Sequence, residues 1–451
     1  MKRYAIEKLV QWKTEKKRKP LILRGARQVG KTWLMKEFGR SHFENTAYIN
    51  FDNNEKMKTL FDGDYDIPRL IDGLQMESGE RINPETTLLV FDEVQEAPKA
   101  LSALKYFNEN ASEYAIVAGG SLLGVALHKG TSFPVGKVDF CHLHPLNFHE
   151  FLEGIGEYRL VELLRKKDWK LITAFGTKFK DLLRKFYYIG GMPESVAEYA
   201  ESKDYGKVRR IHEQVLFTYE QDFSKHASPS VVPRIRSIWG AIPAQLSREN
   251  KKFSPGIVQK GSRLSDYELA LQWLLDCGLL HKVRQVSKPS TPLSGYETGV
   301  FKIFMHDVGL LGTKSELDVK TLLEGNRIFE EYKRALTEQY VLQEMICSGI
   351  TPFYWSSSGT AEVDFVFKHG PNIYPLEVKA EENLQSKSLK VYNEKFSPSV
   401  CLRTSMKDYR RESWLINVPL YAIGTDFIQN QTASWANSSS VGRSARLFSP
   451  K

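Results

Sequence analysis

Three short, unbroken apolar runs mark the first third of the chain: Leu21–Leu23 after Pro20, Leu88–Phe91 within TLLVFDE (residues 87–93), and Tyr114–Ala118 ahead of Gly119 and Gly120. Unbroken runs of this length, closed by turn residues, are the pattern of strands covered on both faces, as in a parallel sheet. AYINFD, residues 47–52, reads as another strand with a polar end, and Trp33–Phe38 begins a helix, so the pattern is α/β. Ahead of it, Tyr4, Ile6, Leu9, Val10 and Trp12 share one face of an amphipathic helix with a basic end from Lys13 to Lys19, a solvated end by composition.

The middle of the chain changes character. Residues 153–204 are lysine-rich and helical in pattern. In residues 206–312, Tyr267, Leu271, Leu274 and Leu275 fall on one helical face, Ser265 and Glu268 are spaced as a capping box, and Gly278 stops the helix. Leu279–Val286 then alternates like a wing strand, which predicts a winged-helix-like arrangement. Further on, Glu362 and Asp364 alternate with apolar neighbours. A Gly-Pro-Asn turn follows, and Glu377 and Lys379 share one face of the next strand, opposite Leu376 and Val378.

The first apolar run leads into RGARQVGKT, which has the form G-x-x-x-x-G-K-[ST] with Gly25, Gly30, Lys31 and Thr32 in its fixed places. A strand that delivers such a turn to a helix start points backbone N–H groups inward, and phosphates fit that nest. The loop Gly25, Ala26, Arg27, Gln28, Val29, Gly30, Lys31, Thr32 and Trp33 is thus the expected ATP-binding segment. Lys31 is placed to reach the β- and γ-phosphates, and the Thr32 hydroxyl to ligate Mg²⁺. TLLVFDE supplies the acidic partner: Asp92 for the metal's water shell and Glu93 to polarise the attacking water. Ser121, after the third run, is either a reporter on the γ-phosphate or an ordinary helix cap for SLLGVAL.

Composition alters this little. The 451 residues suggest several domains, and 41% hydrophobic with 26% charged residues is ordinary globular usage. The net charge of +9 permits contact with DNA or RNA without demanding it. Cys141, Cys277, Cys347 and Cys401 are too scattered for a zinc or disulfide framework. The sequence lacks the apolar core of a signal peptide and any run of about 18 apolar residues, which predicts a cytoplasmic protein with no membrane partner.

The carboxylates of residues 353–380 form a second constellation. Asp364, Glu377 and Lys379 in a D-x12-E-x-K spacing bring carboxylates and a lysine to one end of a hairpin, and Glu338 on an upstream helix adds a further carboxylate. Such a cluster can bind Mg²⁺ through Glu338, Asp364 and Glu377 and activate water for phosphodiester cleavage, with Lys379 steadying the transition state. The alternative is a carboxylate cluster in a fold kept for packing or binding alone.

Together RGARQVGKT, YINF, FDE, GGSLLG and HPLNFHEFL resemble the AAA-type bacterial and archaeal ATPases that carry a C-terminal domain of unknown function similar to PD-(D/E)XK nucleases. The resemblance extends over roughly residues 1–422. It implies a P-loop NTPase sheet of the AAA type (residues 1–152), a helical lid or linker (153–205), a winged-helix-like domain (206–315) and a PD-(D/E)XK nuclease-like α/β domain (316–425). FYYIGGMPE resembles the family's Gly-Gly-x-Pro turn, with Gly190, Gly191 and Pro193, and IFMHDVGLLG its closing motif, with Asp307 and Gly309; neither carries a chemical role. Where the family often has a Gly-Arg pair, this sequence has Gly136 and Lys137, and lysine lacks the bidentate fork of an arginine finger.

Two functions follow. In one, an Mg²⁺-dependent ATPase controls a nuclease-like module acting on or with nucleic acid; in the other, a nucleotide-dependent switch carries an inactive binding module and meets a protein partner or a second copy of itself. The helix at the recognition position, residues 266–277, holds Asp266, Glu268 and Asp276 without Lys or Arg, which favours protein contact over groove entry. Residues 426–451 are rich in Ser, Ala and Asn and read as a disordered or vector-derived tail.

Overall fold

The computed structural model describes residues 1–121, 134, 136–321, 327–357, 361–380 and 386–424; side chains of residues 327–331 are outside the description. The helix expected over SLLGVAL beyond Ser121 and the tail expected at 426–451 lie outside the described residues. The chain divides into two compact units. One comprises Lys2–His144 with Leu271–Leu279, and the other Met1, Pro145–Ala270 and the chain from Leu280 onward.

The first unit is a parallel sheet with helices packed on it. Its strands are β1 (Leu21–Arg24), β2 (Asn45–Asn50), β3 (Thr87–Asp92), β4 (Ala115–Gly119) and β5 (Asp139–His142), in the order β2-β3-β4-β1-β5. Every residue of β3 and β4 is buried, as their unbroken apolar runs require. Phe51, Phe61 and Phe91 meet edge to face, with ring centroids 5.6–5.9 Å apart, and anchor the helix Glu55–Asp62 beneath β2 and β3. The order places β4 between β1 and β3, although it follows both in sequence. Leu23 pairs with Gly119, and Phe91 with Ala118, so the carboxyl ends of β1, β4 and β3 lie side by side.

The second unit begins with helices, including Gly176–Ile189, Tyr205–His226 and Val232–Leu246, and continues into an eight-stranded sheet. Its strands are β6 (Leu280–Val286), β7 (Glu297–Met305), β8 (Phe353–Ser356), β9 (Glu362–His369), β10 (Asn372–Val378), β11 (Cys401–Ser405), β12 (Arg410–Arg411) and β13 (Leu415–Pro419). The order is β12-β13-β11-β10-β9-β8-β6-β7. The expected wing strand is β6, an antiparallel partner of β7, and its parallel pairing with β8 makes one continuous sheet from residue 280 to residue 419. The helix ahead of it starts at Glu268, after a 3-10 turn Leu264–Asp266 in which Arg263 N–H donates to the Asp266 carboxylate at 2.8 Å. Glu268 therefore opens the helix and does not close a box on Ser265.

Gly190, Gly191, Asp307 and Gly309 form one tight knot. Gly191 N–H donates to Asp307 Oδ2 at 2.6 Å, and Leu310 N–H donates to Oδ1 at 3.0 Å, capping the helix Val308–Lys314. A Cβ on Gly190 would lie 2.3 Å from Asp307 Oδ1, and one on Gly309 would lie 2.7 Å from Gly190 N. Gly190 is required by the Asp307 carboxylate lying against it and Gly309 by the approach of the Gly190 backbone, and the two motifs work as a packing joint.

Candidate functional site

Two left-handed residues, Gln28 (φ 67°) and Gly30 (φ 91°), turn the chain leaving β1 so that it enters the helix Lys31–His42 without a side-chain cap. The N–H groups of that first turn are left for an external acceptor, which is the arrangement that holds phosphate. Gly25 lies so close to the next strand's exit that a Cβ there would sit 2.1 Å from Leu143 O. Arg3, buried ahead of the first helix, donates to Val29 O at 2.8 Å and His144 O at 2.6 Å, tying the loop to the same exit.

The functional side chains converge on this loop. Thr32 Oγ1 donates to Asp92 Oδ2 at 2.7 Å, joining the helix start to the end of β3. Tyr48, on β2, donates its hydroxyl to the same oxygen at 2.8 Å, and Glu93 N–H donates to Asp92 Oδ1 at 3.0 Å. Burial, together with Asp92, raises the Tyr48 pKa and keeps the phenol a donor. Glu93 adopts a left-handed backbone, φ 50°, which swings it away from β3; Gln95 Nε2 donates to its carboxylate at 2.5 Å. Lys31 is buried and donates to the carbonyls of Gly25 (2.9 Å) and Ala26 (2.8 Å). Burial lowers its pKa to about 8, against the pull of Glu93 and Asp92.

These residues suit ATP and Mg²⁺. The Thr32 hydroxyl and the Asp92 carboxylate already meet at one point, and the Lys31 ammonium rests on loop carbonyls that phosphate oxygens can replace. Bound Mg²⁺ supplies charge neutralisation for the phosphates. Ser121 is buried, two residues beyond the end of β4 and hence on the loop side of the sheet. Trp33 is 43% exposed at the helix start. Lys137 pairs with Glu109 at 2.9 Å.

Comparison with known proteins places the fold. Residues 17–152 match the family described as AAA domain. This segment has the fold of a P-loop ATPase domain. Residues 180–321 and 333–423 match two families described only as domains of unknown function, DUF8612 and DUF4143. Among solved structures, a Walker-type ATPase of Pyrococcus abyssi is 15% identical, with a TM-score of 0.42, over 69% of this chain and 94% of that one. The Drosophila ORC bound to DNA gives 14% and 0.28 over 70% and 95%, and the Aeropyrum pernix ORC1 protein in complex with DNA 14% and 0.26 over 69% and 91%. At these values the likenesses carry no functional weight. No curated protein matches the chain.

In the second unit, Asp364 on β9 and Glu377 on β10 lie at adjacent ends of the antiparallel pair, one step beyond the Leu376–Phe365 pairing. Asp364 Oδ2 accepts from Val378 N–H at 2.8 Å, and Lys379 Nζ lies 3.0 Å from Glu377. Glu338, on the helix Arg327–Cys347, is paired with Lys251 at 2.6 Å and with Arg334 at 3.0 Å; Arg334 also reaches Asp364 at 3.4 Å. Burial, with Glu338 nearby, pushes Asp364 up to about 6, against Arg334 and Lys302. Among the described residues, no group of three or more His, Cys, Asp or Glu is arranged to hold a metal ion. The expected ligands Glu338, Asp364 and Glu377 thus meet protein cations.

Sequence reasoning missed Tyr48, Gln95 and Arg3 in the first unit and Lys251, Lys302 and Arg334 in the second. Only Arg334 left a readable signal, four residues before Glu338 on one helix.

Proposed function

We propose that the protein is an Mg²⁺-dependent ATPase whose nucleotide state governs the rest of the chain. The convergence of Lys31, Thr32, Asp92 and Glu93 at the carboxyl ends of β1 and β3 carries this reading. Lys31 holds the β- and γ-phosphates. Thr32 and Asp92 would hold the Mg²⁺ ion, and Glu93, released from Gln95, takes a proton from the attacking water. Tyr48 steadies the same Asp92 oxygen to which Thr32 donates.

The remainder is a winged-helix-like segment, helices followed by the β6–β7 hairpin, and a PD-(D/E)XK-like module around Asp364, Glu377 and Lys379. Of the two roles for that module, binding without cutting is favoured by one observation: Glu338 and Asp364 are already paired with Lys251 and Arg334. The partner is nucleic acid met through basic surfaces or a protein, and the acidic helix Glu268–Asp276 supports the latter; the protein works in the cytoplasm. The purified protein is expected to hydrolyse ATP with Mg²⁺, and Lys31→Ala to abolish it; a wild-type rate in that variant sinks the ATPase reading. Cleavage of duplex, single-stranded DNA or RNA that needs a divalent cation and disappears in Asp364→Ala would reverse the preference for binding.

A further inference from the structure

Around the β9–β10 hairpin the chain balances its own charges. Lys251 Nζ lies 2.6 Å from Glu338 Oε1, Lys302 Nζ lies 2.6 Å from Glu362 Oε1, and Arg334 bridges Glu338 and Asp364. The lysines are 3% and 2% exposed and Glu338 is 1% exposed, so the Lys251–Glu338 pair is sealed from solvent, while Glu362 (18%) and Arg334 (46%) reach the surface. We propose that Lys251, Lys302 and Arg334 occupy the position of a divalent cation and lock this carboxylate cluster as a metal-free latch. The latch binds the segment after Val232–Leu246 and strand β7 to the hairpin.

Three observations converge. First, three cations face three carboxylates, Glu338, Glu362 and Asp364, so a divalent cation entering would add charge to a balanced set and must displace an ammonium. Second, both lysines come from outside the hairpin: Lys302 from β7, and Lys251 from a loop where it holds a left-handed backbone, φ 44°. A strained lysine buried against a carboxylate is kept there by its partner. Third, one guanidinium spans two of the carboxylates that a bound cation would bridge: Arg334 lies 3.0 Å from Glu338 Oε1 and 3.4 Å from Asp364 Oδ1. Glu338 Oε2 and Glu377 Oε2 are buried without a hydrogen-bond partner, and they are the oxygens a metal would take once the lysines are removed.

The inference rests on reading the module as nuclease-like, and its test uses nucleotide-free protein, so its failure leaves the ATPase assignment untouched. Mn²⁺ binding is followed by electron paramagnetic resonance on the full chain. The wild type is expected to show no saturable site that Asp364→Asn removes. The Lys251→Ala/Lys302→Ala protein is expected to gain a saturable Mn²⁺ site, and to lose it on adding Asp364→Asn. A wild-type Mn²⁺ site abolished by Asp364→Asn overturns the proposal, as does a folded double variant that gains none. Should the double variant fail to fold, Lys251→Gln is titrated in its place and judged by the same two outcomes.

Discussion

Raising the pH should weaken ATP binding in a window set by one lysine. The Lys31 ammonium has its pKa brought from 10.5 down to about 8 by burial, with Glu93 and Asp92 opposing. Phosphates engage the protonated form. Below pH 8 the charge is already in place and affinity is flat; above it, each binding event must take up a proton, so the dissociation constant climbs by up to about tenfold per pH unit. Between pH 7 and 9 the protonated fraction falls from about 0.9 to about 0.1, a loss of about tenfold in affinity, whereas a lysine with the ordinary value would lose a few per cent. The sign for folding is opposite. Between pH 8 and 10.5 the unfolded chain binds more protons at this group than the folded one, so its contribution to stability rises with pH. Equilibrium ATP titrations at constant ionic strength, with Lys31→Arg as a control that keeps its charge, read the effect. Flat wild-type affinity up to pH 9, or an equal fall in Lys31→Arg, would refute the reasoning.

Tyr48→Phe removes one of the two hydroxyl donors on Asp92 Oδ2, a loss of about 1 kcal/mol. The Mg²⁺ concentration for half-maximal ATPase activity should rise about fivefold with ATP affinity in the absence of metal unchanged, and a fall in kcat at saturating Mg²⁺ without that shift would contradict the assignment. Gly25→Ala puts a Cβ 2.1 Å from Leu143 O, so the loop or the exit of β5 must move. A destabilisation of at least about 2 kcal/mol, read by thermal unfolding, with loss of ATP binding, is expected, and wild-type values for both would show that the close approach is not required.

The phosphate loop was legible because its geometry is local: glycine spacing, one apolar strand and one helix start fix Gly25 to Thr32. Glu93 was legible for the same reason. The partners that complete the site were not, because they depend on sheet register. Tyr48 reaches Asp92 only because β2 runs parallel to β3 with Tyr48 opposite Val90, and Arg3 reaches Val29 from 26 residues away. In the second unit, alternation around Glu362, Asp364 and Glu377 exposed the carboxylates. Their cations stayed hidden, since Lys251 lies 87 residues from Glu338, and Lys302 60 residues from Glu362. Gly190 and Asp307 could be recognised as motif positions, but their steric dependence appears only when the two segments meet.

The proposed roles of Lys31 in binding the phosphates and of Glu93 in driving their hydrolysis are tested most directly by comparing ATP binding and Mg²⁺-dependent phosphate release in the wild type, Lys31→Ala and Glu93→Gln. The predicted result is binding and release in the wild type, neither in Lys31→Ala, and binding without release in Glu93→Gln. Phosphate release at the wild-type rate from either variant would contradict it.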